Sequence, residues 1–220
     1  MHAIRQAGFT LIELLIVVGI IGLLAATFLP DLLAGREQAY IAADSKNMQQ
    51  HYQWMELYKS PTKVGHMPTE GGNKFLLDLW VKKVIEPTVE NFDRFFTPGP
   101  TRDEDPHYIE LRKQVDRGEK IWTDLRSLTP DDTHYAARAK EFIAGMSKGD
   151  EAWVANDNES RGGEGWAFNG GTVNILYGNG NVRPLSLQTM MEEFQWPGLE
   201  QVFKTWGQDS PHPALRKLDH

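Results

Sequence analysis

One carboxylate inside an apolar stretch has the clearest chemical role in this chain. Glu13 lies in the opening segment Gly8 to Glu13 (GFTLIE), and no other charge follows it as far as Pro30. A charged side chain at membrane depth costs about 2.5 to 3.5 kcal/mol on insertion scales, and such groups are usually paired. An opposite charge beside it in a low-dielectric medium would offset that cost. We therefore expect Glu13 to have a cationic partner.

The apolar stretch itself predicts one membrane-spanning helix over residues 9–30. At about 1.5 Å per helical residue it matches the thickness of a bilayer's hydrocarbon layer. Arg5 precedes it, and the positive-inside tendency places the N-terminus in the cytoplasm and the rest of the chain across the membrane. Gly19 and Gly22 would allow another helix to approach closely. Pro30 lacks an amide donor and crowds the carbonyl of Ala26, so we expect a helix kink there.

Beyond Pro30 the pattern predicts an amphipathic continuation of the helix over residues 31–59. Its apolar positions recur at helical spacing: Ile41, Met48, Tyr52, Met55 and Tyr58. The polar residues assigned to the remaining surface are Arg36, Glu37, Asp44, Lys46 and Gln49. Pro61 disfavours helical geometry at Ser60, so the helix should end near Tyr58 or Lys59.

The rest of the chain predicts a periplasmic α+β head over residues 60–207, followed by a mobile tail over residues 208–220. Apolar residues at helical spacing predict helices at Lys74–Ile85 and near Tyr108–Val115, whereas residues 132–146 fit either a helix or a strand. Two short amphipathic helices are expected near the end, at Leu187–Phe194 and Leu199–Trp206.

A β-hairpin is predicted near the C-terminus. Val173, Ile175 and Tyr177 alternate with more polar neighbours, and Gly178, Asn179 and Gly180 supply a hairpin turn that tolerates positive φ. Neighbouring strands are expected at 153–155 and 166–168. Pro184 in the last strand predicts an edge position, because proline has no amide to donate. Together with the long helix, these strands predict an α+β fold whose helix packs on a small antiparallel sheet.

Composition excludes several functional classes. The 220 residues include no cysteine, so disulfides, cysteine nucleophiles and cysteine metal sites are absent, and the net charge of −7 argues against nucleic-acid binding. No metalloprotease, nucleophile-elbow or phosphate-loop motif occurs. The histidines are scattered, so we expect His66, His107 and His134 at the surface and His212 and His220 in the tail. We expect no enzyme activity and no cofactor.

The segment Gly8, Phe9, Thr10, Leu11, Ile12 and Glu13 resembles the processing signal of type IV pilins and type II secretion pseudopilins. The resemblance implies a leader peptide, residues 1–8, that prepilin peptidase removes between Gly8 and Phe9. It also implies N-methylation of Phe9, and pairing of Glu13 with the Phe9 ammonium of a neighbouring subunit. Pilin helices are similar in having a proline at the position of Pro30.

The C-terminal hairpin resembles that of pseudopilin-like proteins with a prepilin-type N-terminus. The matching positions are Gly170, Gly171, Asn174, Leu176, Gly180 and Val182. The chain departs from the pattern at Asn179, where the family usually has Asp, and at Tyr177, where it usually has Phe. Some pseudopilins hold calcium in a C-terminal loop, and Asp157, Asn158 and Glu159 offer hard oxygen ligands. Loops of this composition are more often plain turns, so no metal site is expected.

The resemblance implies a structural subunit of a type II secretion pseudopilus. Its implied partners are other copies of itself, other pseudopilins, prepilin peptidase, the lipid bilayer and an inner-membrane assembly platform with a cytoplasmic ATPase. Its implied location is the bacterial inner membrane, then a periplasmic filament. Three alternatives stay open at this point: a type IV pilus subunit, a signal-anchored periplasmic ligand-binding module, and an ordinary secretory signal.

Overall fold

The computed structural model describes residues 10–146, 149–157, 171–194 and 206–220. It is an α+β structure with one long N-terminal helix and a five-stranded antiparallel sheet. By internal contacts the chain divides into two units, Met1–Ala39 and Tyr40–His220. The predicted leader, residues 1–8, and Phe9 lie outside the described residues.

Six α-helices were assigned in the described part of the chain: α1 (Leu11–Lys59), α2 (Asn73–Val81), α3 (Val89–Asp93), α4 (Pro100–Asp103), α5 (Pro106–Asp116) and α6 (Leu187–Phe194). Short 3-10 helices lie at Leu125–Ser127, Pro130–Asp132, Lys140–Gly145 and Leu215–Lys217. The strands are β1 (Tyr135–Arg138), β2 (Ala152–Asn156), β3 (Thr172–Tyr177), β4 (Val182–Ser186) and β5 (Leu218–Asp219).

Helix α1 ends at Lys59, as the proline at position 61 predicts. Its buried side chains follow helical spacing: Asp44, Met48, His51, Trp54, Met55 and Tyr58. Met48, Met55 and Tyr58 of the predicted apolar face are buried, whereas Ile41 and Tyr52 are half-buried. Asp44 was assigned to the polar surface, yet it is completely buried on the same face as Met48.

The sheet has the strand order β4-β3-β2-β1-β5, and every neighbouring pair is antiparallel. Strands β3 and β4 form the predicted hairpin, with Val173 opposite Leu185 and Leu176 opposite Val182. Pro184 lies in edge strand β4, where a missing amide costs no sheet hydrogen bond.

The two faces of the sheet bury different side chains. One face, including Tyr135, Val154 and Leu176, joins an aromatic core with α1, α2, α3 and α5. The opposite face, including Val173, Ile175 and Leu185, joins Met190 of α6 and Leu215 and Leu218 near the C-terminus. Neighbouring side chains along a strand point to opposite faces, so the alternation along the sequence determines which of the two faces buries each residue.

The C-terminus differs from the mobile tail predicted for residues 208–220. Strand β5 pairs with β1, with Arg138 opposite Leu218, and Leu218 is buried. The apolar pair Leu215 and Leu218 covers one face of the sheet, which a polar tail would leave open to water. The ambiguous stretch 132–146 contains strand β1 and a 3-10 helix. The strand predicted at 166–168 and most of the helix predicted at Leu199–Trp206 fall outside the described residues.

Candidate assembly site

The first turn of α1 holds Glu13 in a capping box. Thr10 is the residue before the helix, and its amide and hydroxyl both donate to Glu13 Oε2, at 2.8 and 2.6 Å. The Glu13 amide donates in return to Thr10 Oγ1 at 3.3 Å. This reciprocal arrangement satisfies amides that a helix N-terminus otherwise leaves unpaired. The spacing Thr-x-x-Glu before an apolar run is its sequence signature.

The helix that follows is apolar on all sides. Every large apolar side chain from Leu11 to Leu33 is exposed within its own chain. By length and composition, α1 could cross a membrane, and it is the one described helix that meets this criterion. A water-soluble protein rarely exposes a continuous apolar surface of this size, so the segment requires lipid or other helices around it.

The glycines of this segment make no close contact with other elements in the described part of the chain. A Cβ atom added at Gly19, Gly22 or Gly35 would meet no described atom within 4 Å. Helix α1 continues without interruption through Pro30, and the hydroxyl of Thr27 donates to the carbonyl of Leu24 one turn earlier, at 2.9 Å. Close packing at these glycines would therefore have to involve atoms outside the described part of the chain.

Comparison with known proteins identifies this segment. Residues 4–29 match the model described as the prokaryotic N-terminal methylation motif. The chain is also 44% identical over 52 residues to the type IV wide pilus major component PilA4 of Thermus thermophilus. Both comparisons liken the N-terminal segment to type IV pilins, which supports a type IV pilin-like family for this chain. The aligned segment covers 24% of this chain and only 40% of that relative's length, and no solved structure matches the chain.

In this pilin-like chain a methylation motif and an apolar helix occur together, which indicates a membrane-anchored protein. The Gly8–Phe9 junction and the Phe9 amine lie outside the described residues. Gly178, Asn179 and Gly180 lie in the turn between β3 and β4, far along the chain from that junction. The predicted site residues that the structure describes therefore lie in two separate elements, the N-terminal helix and the hairpin turn. The hydrogen bonds of the Glu13 carboxylate are to Thr10.

The hairpin turn of the pilin-like head requires glycine for two reasons. Gly180 has a φ of 81°, in the left-handed region. A Cβ at Gly178 would lie 2.6 Å from the indole nitrogen of Trp153, which is too close for any side chain. Asn179 fixes the turn by accepting a hydrogen bond from the Asn181 amide at 3.0 Å. These contacts give the turn a structural role.

A buried polar cluster joins the C-terminal part of α1 to three strands of the sheet. Asp44 Oδ1 accepts from the Tyr135 hydroxyl at 2.6 Å, while Oδ2 accepts from Asn174 at 2.8 Å and from Asn156 at 3.1 Å. Asn174 also donates to the Ile41 carbonyl at 3.0 Å. Burial raises the pKa of Asp44 to about 6, although all three donors oppose the shift. We call these side chains, Asp44, Tyr135, Asn156 and Asn174, the Asp44 cluster.

The Asp44 cluster was missed because a lone aspartate on a helix is usually solvated. Asp44 lies three residues after Ile41 and four before Met48, which are helical neighbours on one face. That spacing was the available signal. Within the unit Tyr40–His220, this cluster joins the C-terminal part of α1 to the sheet.

The candidate calcium ligands have other partners where they are described. The Asp157 carboxylate accepts from the Trp206 indole at 2.8 Å and lies 2.7 Å from His220 Nδ1. Asn158 and Glu159 fall outside the described residues. Within the described ranges, no three His, Cys, Asp or Glu residues are grouped as a metal site would require.

Two histidines differ from their predicted surroundings. His134 is buried rather than on the surface, with Nε2 3.1 Å from Asp105 Oδ2. His220 packs against Asp157. Burial alone would lower the pKa of His220 and is the largest single effect on it, but the hydrogen bond and charge of Asp157, with smaller contributions, raise that pKa overall. Both follow from long-range contacts, since Asp105 and Asp157 are distant in sequence from the histidines they meet.

Proposed function

We propose that this chain is a structural subunit of a helical filament whose core is formed by bundled N-terminal helices. The observation that carries the proposal is the continuous exposed apolar surface from Leu11 to Leu33, with Glu13 as its single charge before Asp31. Lipid covers such a surface before assembly, and neighbouring helices cover it afterwards. The other copies of the chain are then its principal partners.

Processing prepares the subunit for assembly in this proposal. Prepilin peptidase removes residues 1–8 and methylates Phe9, which leaves a cationic amine at the new N-terminus. That ammonium pairs with Glu13 of the adjacent subunit and sets the axial register. The methylation motif matched over residues 4–29 supports this sequence of events.

The subunit is proposed to wait in the inner membrane with its N-terminus cytoplasmic and its head periplasmic. An assembly platform with a cytoplasmic ATPase would then extract it. Pro30 removes one amide donor from α1, and we propose that the helix loosens at this position during extraction. This would let the apolar segment adjust its length between the membrane and the filament.

A type II secretion pseudopilus and a type IV surface pilus are the two candidate filaments. The hairpin residues Gly171, Asn174, Leu176, Gly180 and Val182 support the pseudopilus, and on that basis we favour it. The pilus component of Thermus thermophilus that matches the N-terminal segment favours the alternative. A ligand-binding module anchored by the same helix would not need the charge of Glu13.

Deleting the gene distinguishes the two filaments. Loss of pseudopilus function would leave secreted proteins in the periplasm while surface filaments persist, whereas loss of a pilus subunit would remove surface filaments with secretion intact. Immunogold labelling of the head and mass spectrometry of the culture medium measure both. Restoring the strain with Pro30→Ala should give fewer filaments than the wild-type gene, and wild-type numbers would contradict the role of Pro30.

A further inference from the structure

A cavity of about 690 Å³ lies where helices α2 and α5 both end. Trp80, Val84, Ile85 and Trp122 give it an apolar lining, and each of these side chains is mostly buried in the aromatic core. The Trp80 and Trp122 rings meet edge to face with centroids 5.4 Å apart, which fixes this wall. Its volume falls within the range of about 300 to 1,000 Å³ that is typical of small-molecule sites in other proteins, and a largely apolar lining is also typical of such sites.

Two helix C-terminal caps of the same type border the cavity. After α2, Lys83 donates to the Trp80 carbonyl and Val84 to that of Leu79. After α5, Gly118 donates to the Val115 carbonyl and Glu119 to that of Gln114. Both patterns define a Schellman motif, in which the residue after the cap adopts a left-handed conformation. Lys83 and Gly118 occupy that position, with φ of 53° and 74°.

The residue at this left-handed position is lysine after α2 and glycine after α5. Glycine adopts left-handed geometry without strain, and it is the usual residue there. A lysine at the same position is strained, and Lys82, the cap residue before it, already brings an ammonium to the same helix end without lining the cavity. Lys83 is thus an unfavourable choice for the helix itself. It is, however, one of the residues that line the cavity.

Three lysines line the cavity in a protein whose net charge is −7: Lys63, Lys83 and Lys120. None of them has an ion pair with any residue in the described part of the chain. Of the two carboxylates in the lining, Glu119 is paired with Arg117 at 2.7 Å, which leaves Glu86 as the opposing charge. The cavity therefore combines an apolar wall with a cationic rim.

We propose that this cavity binds a small molecule in which a carboxylate is joined to an aromatic or aliphatic group. The apolar group would lie against Trp80 and Trp122, and the carboxylate would meet the Lys83 ammonium at the rim. Nothing in filament assembly requires such a site. It gives the head a recognition function separate from the helix.

Saturation-transfer NMR tests this on the full-length protein in an uncharged detergent. Naphthylacetate is the probe, naphthylacetamide is its uncharged match, and detergent without protein provides the blank. We expect saturable binding of naphthylacetate above the blank and weaker binding of the amide. Equal binding of acid and amide, or no saturable signal above the blank, would overturn the proposal.

Lys83→Gly separates a binding role from a structural one. The variant should weaken naphthylacetate binding by about twofold to fivefold, since it removes one rim ion pair. It should also raise the thermal unfolding midpoint, because glycine relieves the left-handed strain. Lys82→Ala is the matched control and should leave the affinity unchanged. Wild-type affinity in Lys83→Gly, an equal loss in Lys82→Ala, or equal competition by inorganic phosphate would each contradict the proposed site.

Discussion

Glu13→Gln should abolish filament assembly while leaving the helix intact. Glutamine serves as well as glutamate at the third position of a capping box, so the hydrogen bonding with Thr10 persists. The charge, however, is lost, and the Phe9 ammonium of the neighbouring subunit would be left unpaired among apolar helices. Removing one partner of a buried ion pair costs about 3 to 5 kcal/mol. That corresponds to a loss of more than about a hundredfold in association, measurable by immunoblotting of sheared filaments.

Thr10→Ala is the matched control for Glu13→Gln. It breaks the capping box but keeps the carboxylate, and losing a cap costs about 0.5 to 2 kcal/mol. We therefore expect processed subunits of both variants in the membrane, and filaments only from Thr10→Ala. If Glu13→Gln assembled and Thr10→Ala did not, Glu13 would act as a cap and not as an assembly charge.

Asp44→Ala should strongly destabilise the head. Asp44 accepts from Tyr135, Asn156 and Asn174, and all three are buried. An unsatisfied buried donor costs about 1 to 3 kcal/mol, so the expected loss is about 3 kcal/mol or more. Urea unfolding of the full-length protein in detergent, followed by near-ultraviolet circular dichroism, measures it. Lys46→Ala, an exposed position on the same helix, should change little.

The pH dependence of Asp44→Asn checks the same cluster. Burial raises the pKa of Asp44 from 3.8 to about 6. The folded state therefore binds this proton more tightly than the unfolded state. The resulting stabilisation is fully present below about pH 3.8 and is lost as the pH rises through about 6. The stability advantage of the wild type over Asp44→Asn should shrink across that range. A constant difference would show that Asp44 does not titrate in the buried cluster.

Local patterns in the sequence account for the elements that were predicted. The apolar run with a single glutamate identifies the N-terminal helix, because an apolar run of this length is stable only in lipid or among neighbouring helices. Alternation at Val173, Ile175 and Tyr177 followed by glycine and asparagine specifies the hairpin. In each case the information lies within one continuous segment of the chain.

Long-range pairing accounts for what the sequence did not reveal. Strand β1 is only four residues long, and it pairs with β2 and with β5 at the far end of the chain. Asp44 is polar, and it is buried because three donors from the sheet meet it there. The cavity beside Lys83 depends on two helix ends that approach in space. Helical spacing places Asp44 on the buried face, but no local rule predicts which groups it meets there.

The mass of the N-terminal peptide of subunits from native filaments tests the central claim most directly. The claim is that a processed, cationic N-terminus compensates Glu13 of the next subunit. It predicts a peptide that begins at Phe9 and carries one methyl group on its amine. A subunit that still begins at Met1, or one that has lost the whole apolar segment, would contradict it.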